Sequence, residues 1–290
     1  MNYILKNEQI TVTLSDLGAE MISVKRGDCE YVWQGDEKYW NGQCPFCFPN
    51  CGRFINSTYY YKGKPYELGC HGFAQHSVFE AYPTTNAEIR FVLKSNEETK
   101  KVYPFDFELT IVYRLEGNKL STKATIRNTG DELLPATFGA HPGYNVPLDG
   151  KGCFEDYYVE FGESCYPDEI TLSPTCFITG GRKPRLLEDA RILRLKHNLF
   201  DGDAVFLARV ANSVTLKSEK TDRYVTMEYP DMPYLGFWHA AKTDAPYVCI
   251  EPWCGLPDYD GEPGDLSVKH DLFRLCPNTE KTVRFSVTFG

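Results

Sequence analysis

The chain has 290 residues, 42% of them hydrophobic and 14% aromatic, with 19 Tyr, 18 Phe and a formal net charge of −9. That length supports a sizeable core, and the aromatic-rich mix suits pleated, half-buried surfaces better than helices. The acidic charge is spread along the chain without a Lys/Arg-rich run, which argues against nucleic acid and anionic membrane as partners, and no stretch approaches the ~18 uninterrupted apolar residues of a membrane span.

The opening Met1-Asn2-Tyr3-Ile4-Leu5-Lys6 lacks the apolar segment of a secretory signal. Together with an odd count of 11 Cys, this predicts reduced thiols in a cytoplasmic protein rather than a disulfide framework. Strands are expected near residues 11–14, 21–24, 31–33, 59–61 and 89–93, with a single helical turn around Asp36 to Trp40. Next comes the clearest alternation. Phe107, Leu109, Ile111, Tyr113 and Leu115 face one way while Glu108, Thr110 and Arg114 face the other, and Leu120, Thr122, Ala124 and Ile126 alternate again. Gly117-Asn118 between them supplies the positive φ of a tight turn, so residues 106–128 read as one β-hairpin.

Further strands are expected near 136–140, 157–160, 205–209, 214–217, 224–227, 234–240 and 247–250, and a last one carries Val283, Phe285, Val287 and Phe289. Segments 142–155 and 253–271, rich in Pro, Gly and Asp, read as long loops, where binding groups tend to sit. Helical periodicity, repeats and linker composition are missing. The prediction is therefore an all-β sandwich or barrel with few short helices, one domain over residues 1–290.

Several residues could carry chemistry. His141 stands where the run Thr137-Phe138-Gly139-Ala140 stops at Pro142-Gly143, which presents an imidazole at a strand end; alone, it could equally satisfy loop backbone through a ring nitrogen. Glu251 is one carboxylate inside the apolar run Val248-Cys249-Ile250-Glu251-Pro252-Trp253. Either it faces solvent, or it is buried with a partner or a task, and apolar neighbours would then raise its pKa and make it a better base near neutrality. His71 lies between glycines in Gly69-Cys70-His71-Gly72, and Asn50 and Arg53 could present an amide and a guanidinium fork to hydroxyls. Ordinary turn and surface-pair roles compete for all three.

Cys44, Cys47, Cys51 and Cys70-His71 bring zinc to mind, but two compact ligand pairs are lacking and small buried hydrophobes account better for these thiols. The stretch from Asp258 to Asp265 lacks the full ligand pattern of a calcium loop and reads as a solvated acidic loop. No phosphate-cradling glycine loop, GxSxG elbow or HExxH helix occurs. No metal and no cofactor is expected.

Asn50-x2-Arg53, then His71-Gly72, then His141-Pro142-x-Tyr144-Asn145, then Ile250-Glu251-Pro252-Trp253 resemble, in order and spacing, the aldose 1-epimerase (galactose mutarotase) family, and its LacX-like branch in particular. The resemblance implies a galactose-mutarotase-like β-supersandwich without a cofactor, acting on a small-molecule sugar as a monomer or homodimer. It implies His141 as general acid, Glu251 as base and His71 as a catalytic neighbour holding the ring oxygen or an adjacent hydroxyl. Asn50, Arg53, Asp203 and Tyr144 are implied as substrate contacts, with Asp201 an alternative to Asp203, and Trp238 and His239 are further lining candidates from their position near a strand end. Gly143 replaces the aromatic that galactose-specific members carry after His-Pro, which bears on sugar preference and not on the acid or base. The expected activity is mutarotation of a free aldohexose such as glucose or galactose. A hexose-6-phosphate mutarotase would add a cationic cluster, and a non-catalytic carbohydrate-binding β-sandwich would not need both His141 and Glu251.

Overall fold

Alternation dictates the first large sheet. In the strands Phe107–Glu116 and Lys119–Asn128, Phe107, Leu109, Ile111, Tyr113, Leu115, Leu120, Ala124 and Ile126 are buried while their neighbours are not. The two pair from Phe107↔Asn128 to Glu116↔Lys119 around Gly117, at φ +57°. Slipping this register by one residue would turn the whole buried row to solvent, at about 1.5–3 kcal/mol per large side chain. A β-propensity scale spanning ~1 kcal/mol could not hold that register, so the burial pattern decides it.

The computed structural model describes residues 1–290, and all its named strands pair antiparallel. The hairpin is extended on one side by Glu88–Lys94 and Glu80–Thr85, and on the other by Glu280–Phe289, Thr221–Glu228, Ser213–Ser218, Tyr157–Phe161 and Ile192–Arg194, nine strands in all. A second sheet of eight strands runs Ile178–Pro184, Asp168–Leu172, Val205–Ala208, Tyr234–Trp238, Tyr247–Trp253, Gly139–Ala140, Phe46–Cys47, with Gly143–Asn145 also paired to Tyr247–Trp253. Four N-terminal strands within residues 2–30 form a smaller sheet.

The second sheet is apolar on both faces, and this positions the site. Along Tyr247–Trp253, Val248 and Ile250 enter the main core of 65 buried residues, which they share with Leu109, Ile111 and Val283 of the first sheet. The odd residues Tyr247, Cys249, Glu251 and Trp253 turn to the opposite face. Val205 and Leu207 likewise join the main core while Phe206 and Ala208 pack with Trp253 on the far side. The far face is thus covered by loops and carries a small apolar layer of its own.

The expected helical turn at Asp36 to Trp40 forms one hydrogen-bonded turn, with the N–H groups of Tyr39 and Trp40 both donating to the Asp36 carbonyl, but a bridge from Asp36 to Trp40 closes it as a β-turn and not a helix. The one α-helix is Glu97–Val102, capped by Asn96 with Thr99 in a reciprocal capping box. Segment 142–155 contains the short strand Gly143–Asn145 inside the expected loop.

Candidate active site

A cavity of about 260 Å³ opens on the far face of the second sheet, lined by Trp40, Arg53, Cys70, His71, His141, Cys176, Asp203, Phe206, Trp238, Glu251 and Trp253 among others. Glu251 projects from its strand opposite Gly236, where a Cβ would lie 2.7 Å from the Phe206 ring and 3.2 Å from the Glu251 Cβ. The missing side chain leaves the carboxylate room. His141 follows the strand Gly139–Ala140, and its backbone N–H donates to the Pro45 carbonyl. His141 Nε2 and Glu251 Oε1 are 3.3 Å apart, with side chains 9% and 1% exposed.

His141 Nδ1 and Glu251 Oε1 are buried without a protein hydrogen-bond partner. Such atoms normally cost about 1–3 kcal/mol each, and these two belong to residues that line the cavity. Burial drives the Glu251 carboxyl pKa well above its ordinary range, with the Asp203 carboxylate and the Cys51 sulfur adding to it. Burial also drives the His141 imidazole down to about 4, against opposing contributions from its own backbone and Asp203. Both shifts favour uncharged forms. With one proton between them the two groups are either carboxylic acid with imidazole or carboxylate with imidazolium, and burial favours the uncharged arrangement.

His71 is held differently. The Gly52 N–H donates to its Nδ1 at 3.1 Å, and the Cys47 Sγ lies 3.2 Å from the same nitrogen. An accepting Nδ1 places the ring proton on Nε2, and burial, followed by the influence of His141 and Arg53, keeps the ring neutral. Its ring packs edge-on to His141 at 5.3 Å and to Trp253 at 5.3 Å. The ring is therefore a fixed donor beside the acid–base pair.

Asp203 lies in the cavity wall at φ +83°, while Asp201 is exposed and does not line it. The Trp238 Nε1–H donates to Asp203 Oδ1 at 2.8 Å, and Arg53 Nη1 stands 3.7 Å from Oδ2. Arg53, Asp203 and Trp238 thus form one polar rim, and Trp40 packs edge-on against Trp238 at 5.5 Å.

Three expected contacts sit elsewhere. Tyr144 is wholly buried in the main core, because alternation along Gly143–Asn145 turns it inward against the first sheet; it does not reach the cavity. Asn50 is also buried outside the lining, where its Nδ2 donates to the Gly52 carbonyl at 2.8 Å and so braces the turn that orients His71. His239 is fully buried, with Nδ1 donating to the Ala240 carbonyl and Nε2 against His197.

Trp40 and Trp253 are cavity residues that reading for polar groups passes over. Trp253 was accessible from the strand pattern, two positions after Glu251 and hence on its face; nothing local marks Trp40. Cys44, Cys47 and Cys51 are buried among hydrophobic neighbours. The donor atoms able to converge on a metal are instead those of His141, Cys249 and Glu251, within 4.8 Å of one another.

Fold and site together define a β-sandwich whose far face holds a buried His–Glu pair at an open cavity. The chain belongs to the aldose 1-epimerase family, whose model matches residues 1–260. It is 33% identical over 294 residues to the chromosomal LacX protein of Lactococcus lactis subsp. lactis, covering 98% of both chains. A galactose mutarotase related enzyme from Lactobacillus acidophilus superposes with a TM-score of 0.95 at 37% identity, over 100% of this chain and 97% of the other. A galactose mutarotase-like protein from Lactobacillus casei gives 0.93 at 30% identity over the full length of both. The fold is that of the galactose mutarotase-like proteins.

Proposed function

We propose that this chain is a cofactor-independent mutarotase, interconverting the α and β anomers of a free aldohexose such as glucose or galactose. The observation that carries the reading is the His141–Glu251 pair, buried and 3.3 Å apart at the cavity. An anomer changes when the hemiacetal opens, the C1–C2 bond rotates and the ring closes on the other face. In the opening step Glu251 takes the proton of the C1 hydroxyl, the bond from C1 to the ring oxygen breaks, and imidazolium His141 protonates that oxygen. The product pair is carboxylic acid with imidazole, the arrangement that burial favours, and closure runs the two transfers in reverse. His71 Nε2–H steadies the ring oxygen or an adjacent hydroxyl, the rim of Arg53, Asp203 and Trp238 takes outer hydroxyls, and Trp40 and Trp253 offer aromatic faces to the apolar side of the sugar.

Arg53 is the one Lys or Arg lining the cavity, and Asp203 faces it. A sugar phosphate would find no cationic cluster there, which favours a free sugar. A binding protein without turnover would gain nothing from burying a carboxyl and an imidazole with unpartnered polar atoms, at about 1–3 kcal/mol each. We also take residues 1–290 as one domain, supported by a core running from Leu5 to Phe289, and a cytoplasmic location, supported by eleven free cysteines. No helix is long and apolar enough to cross a membrane.

The test is to follow the anomeric NMR signals of freshly dissolved α-glucose, α-galactose and α-glucose 6-phosphate in D₂O with and without protein. Faster equilibration of the free sugars, with no deuterium entering any carbon position, is the expected outcome. Mutarotation moves protons only between oxygens and water. Enzyme-dependent deuterium at C2, or a ketose product, would assign the pair to enolisation instead.

A further inference from the structure

Cys249 has no part in the chemistry above, yet its sulfur lies with the acid and the base. Residues 249 and 251 share one face of the strand Tyr247–Trp253, and His141 reaches the same point from the end of Gly139–Ala140. One donor atom from each of His141, Cys249 and Glu251 falls within 4.8 Å of the others, and all three residues are buried. We propose that His141, Cys249 and Glu251 form a site for a thiophilic divalent cation, Zn²⁺ above all, whose binding excludes the sugar and stops turnover. The inhibition clause rests on the proposed function; the binding clause does not.

The geometry is close to what such an ion needs. Tetrahedral zinc with bonds to nitrogen and oxygen near 2.0–2.1 Å sets those two atoms about 3.3 Å apart. His141 Nε2 and Glu251 Oε1 are 3.3 Å apart. A Zn–S bond near 2.3 Å places sulfur about 3.6 Å from the other donors, against the 4.8 Å within which they now lie, so a side-chain adjustment of little more than about 1 Å suffices. Three protein ligands leave the fourth position toward the cavity, where His141 and Glu251 are open to it.

The charge balance also fits. Thiolate, carboxylate and neutral imidazole neutralise a dication, so the loaded site has no net charge to bury. On binding, the Cys249 thiol proton and the single proton of the acid–base pair leave to solvent; two charges enter and two depart. Glu251 Oε1, without a protein partner, gains one. The other thiols lack this convergence: Cys47 Sγ approaches His71 Nδ1, but that nitrogen already accepts the Gly52 N–H. Ion and sugar need the same two side chains, so they exclude each other.

The experiment titrates Co²⁺ and then Zn²⁺ into the full chain in buffer free of thiols and chelators. One equivalent of Co²⁺ should produce a thiolate-to-cobalt charge-transfer absorption, Zn²⁺ should abolish it, and saturating glucose should weaken cobalt binding. Stoichiometric Zn²⁺ should lower mutarotation at least tenfold, with EDTA restoring it. Cys249→Ala should keep basal mutarotation, lose the charge-transfer band and require at least tenfold more Zn²⁺ for the same inhibition. Absence of the band in the unmutated protein, no competition with cobalt from a sugar that the protein does mutarotate, or unchanged zinc sensitivity in Cys249→Ala would overturn the proposal. If Cys249→Ala does not fold, Glu251→Gln serves in its place: at least a tenfold loss of cobalt affinity supports the site and unchanged affinity overturns it. A protein that shows the cobalt band but never mutarotates any sugar keeps the metal site and loses the proposed function.

Discussion

Burial moves both Glu251 and His141 out of their ordinary ranges, and the consequences are measurable. With the imidazole held down to about 4 and the carboxyl well above its ordinary range, the singly protonated pair persists from near pH 4 upward. Falling pH adds a second proton and removes the base; rising pH strips the shared proton and removes the acid. The profile of kcat/KM against pH should therefore be bell-shaped, with its acid limb approaching pH 4. Glu251→Gln and His141→Asn should each lower kcat at least ~100-fold with the fold intact. Residual activity in Glu251→Gln should show one limb in place of two, because a single titrating group is left. Near-normal turnover in either variant, or two limbs in Glu251→Gln, would remove the pair from the mechanism.

At the level of elements, the site depends on close backbone approaches that only glycine permits. Gly72 sits at φ +72°, and a Cβ there would come within 2.2 Å of the Phe48 carbonyl oxygen. That contact joins the loop bearing His71 to the end of the strand Phe46–Cys47, through the Phe48 N–H on the His71 carbonyl and the Phe73 N–H on the Phe48 carbonyl. Gly72→Ala should cost more than about 1 kcal/mol in urea unfolding and lower kcat by displacing His71. Gly69→Ala in the same loop meets nothing within 4 Å and should change stability by no more than about 0.5 kcal/mol. Equal effects of the two would show that the loop is not held through Phe48.

The same physics explains what the sequence disclosed. Strands with one buried face announce themselves by alternation, and Glu251 stands out because it interrupts a strand buried on both faces. Edge strands are silent: Glu80–Thr85 and Ile178–Pro184 are mostly exposed, carry Pro or paired Gly, and owe their form to one neighbour. Asp203 and Asp201 could not be ranked from their shared turn, because backbone at φ +83° decides which one faces Trp238. Tyr144 was legible as a neighbour of His141 in sequence, but the side of the sheet it takes is set by pairing with Val248. Residues that line the cavity were readable where they violate the pattern, and others were misplaced where only register distinguishes one face from the other.

Across the whole molecule, the uncharged site groups make stability depend on pH in a way that isolates Glu251. A carboxyl with a raised native pKa keeps a proton that the unfolded chain releases, so its contribution to stability falls as pH rises from its unfolded value through the native one. His141 and His71, both lowered, act in the opposite sense: stability is present above their unfolded pKa near 6.5 and is lost as pH falls toward their native values. Between about pH 4.5 and 6.5 these slopes oppose each other. Above 6.5 the unfolded imidazoles also lose their protons, within about a pH unit, and from there up to the ordinary thiol range near 8.5 Glu251 is the one of these three groups that still distinguishes native from unfolded. Glu251→Gln keeps the shape and removes the titration. Urea-unfolding free energies measured from pH 6.5 to 8.5 should show the variant gaining on the unmutated protein as pH rises, with the buried Cys thiols contributing alike to both. A difference that stays constant across that window would mean that Glu251 is already ionised in the native protein at pH 6.5, and that burial does not hold its proton.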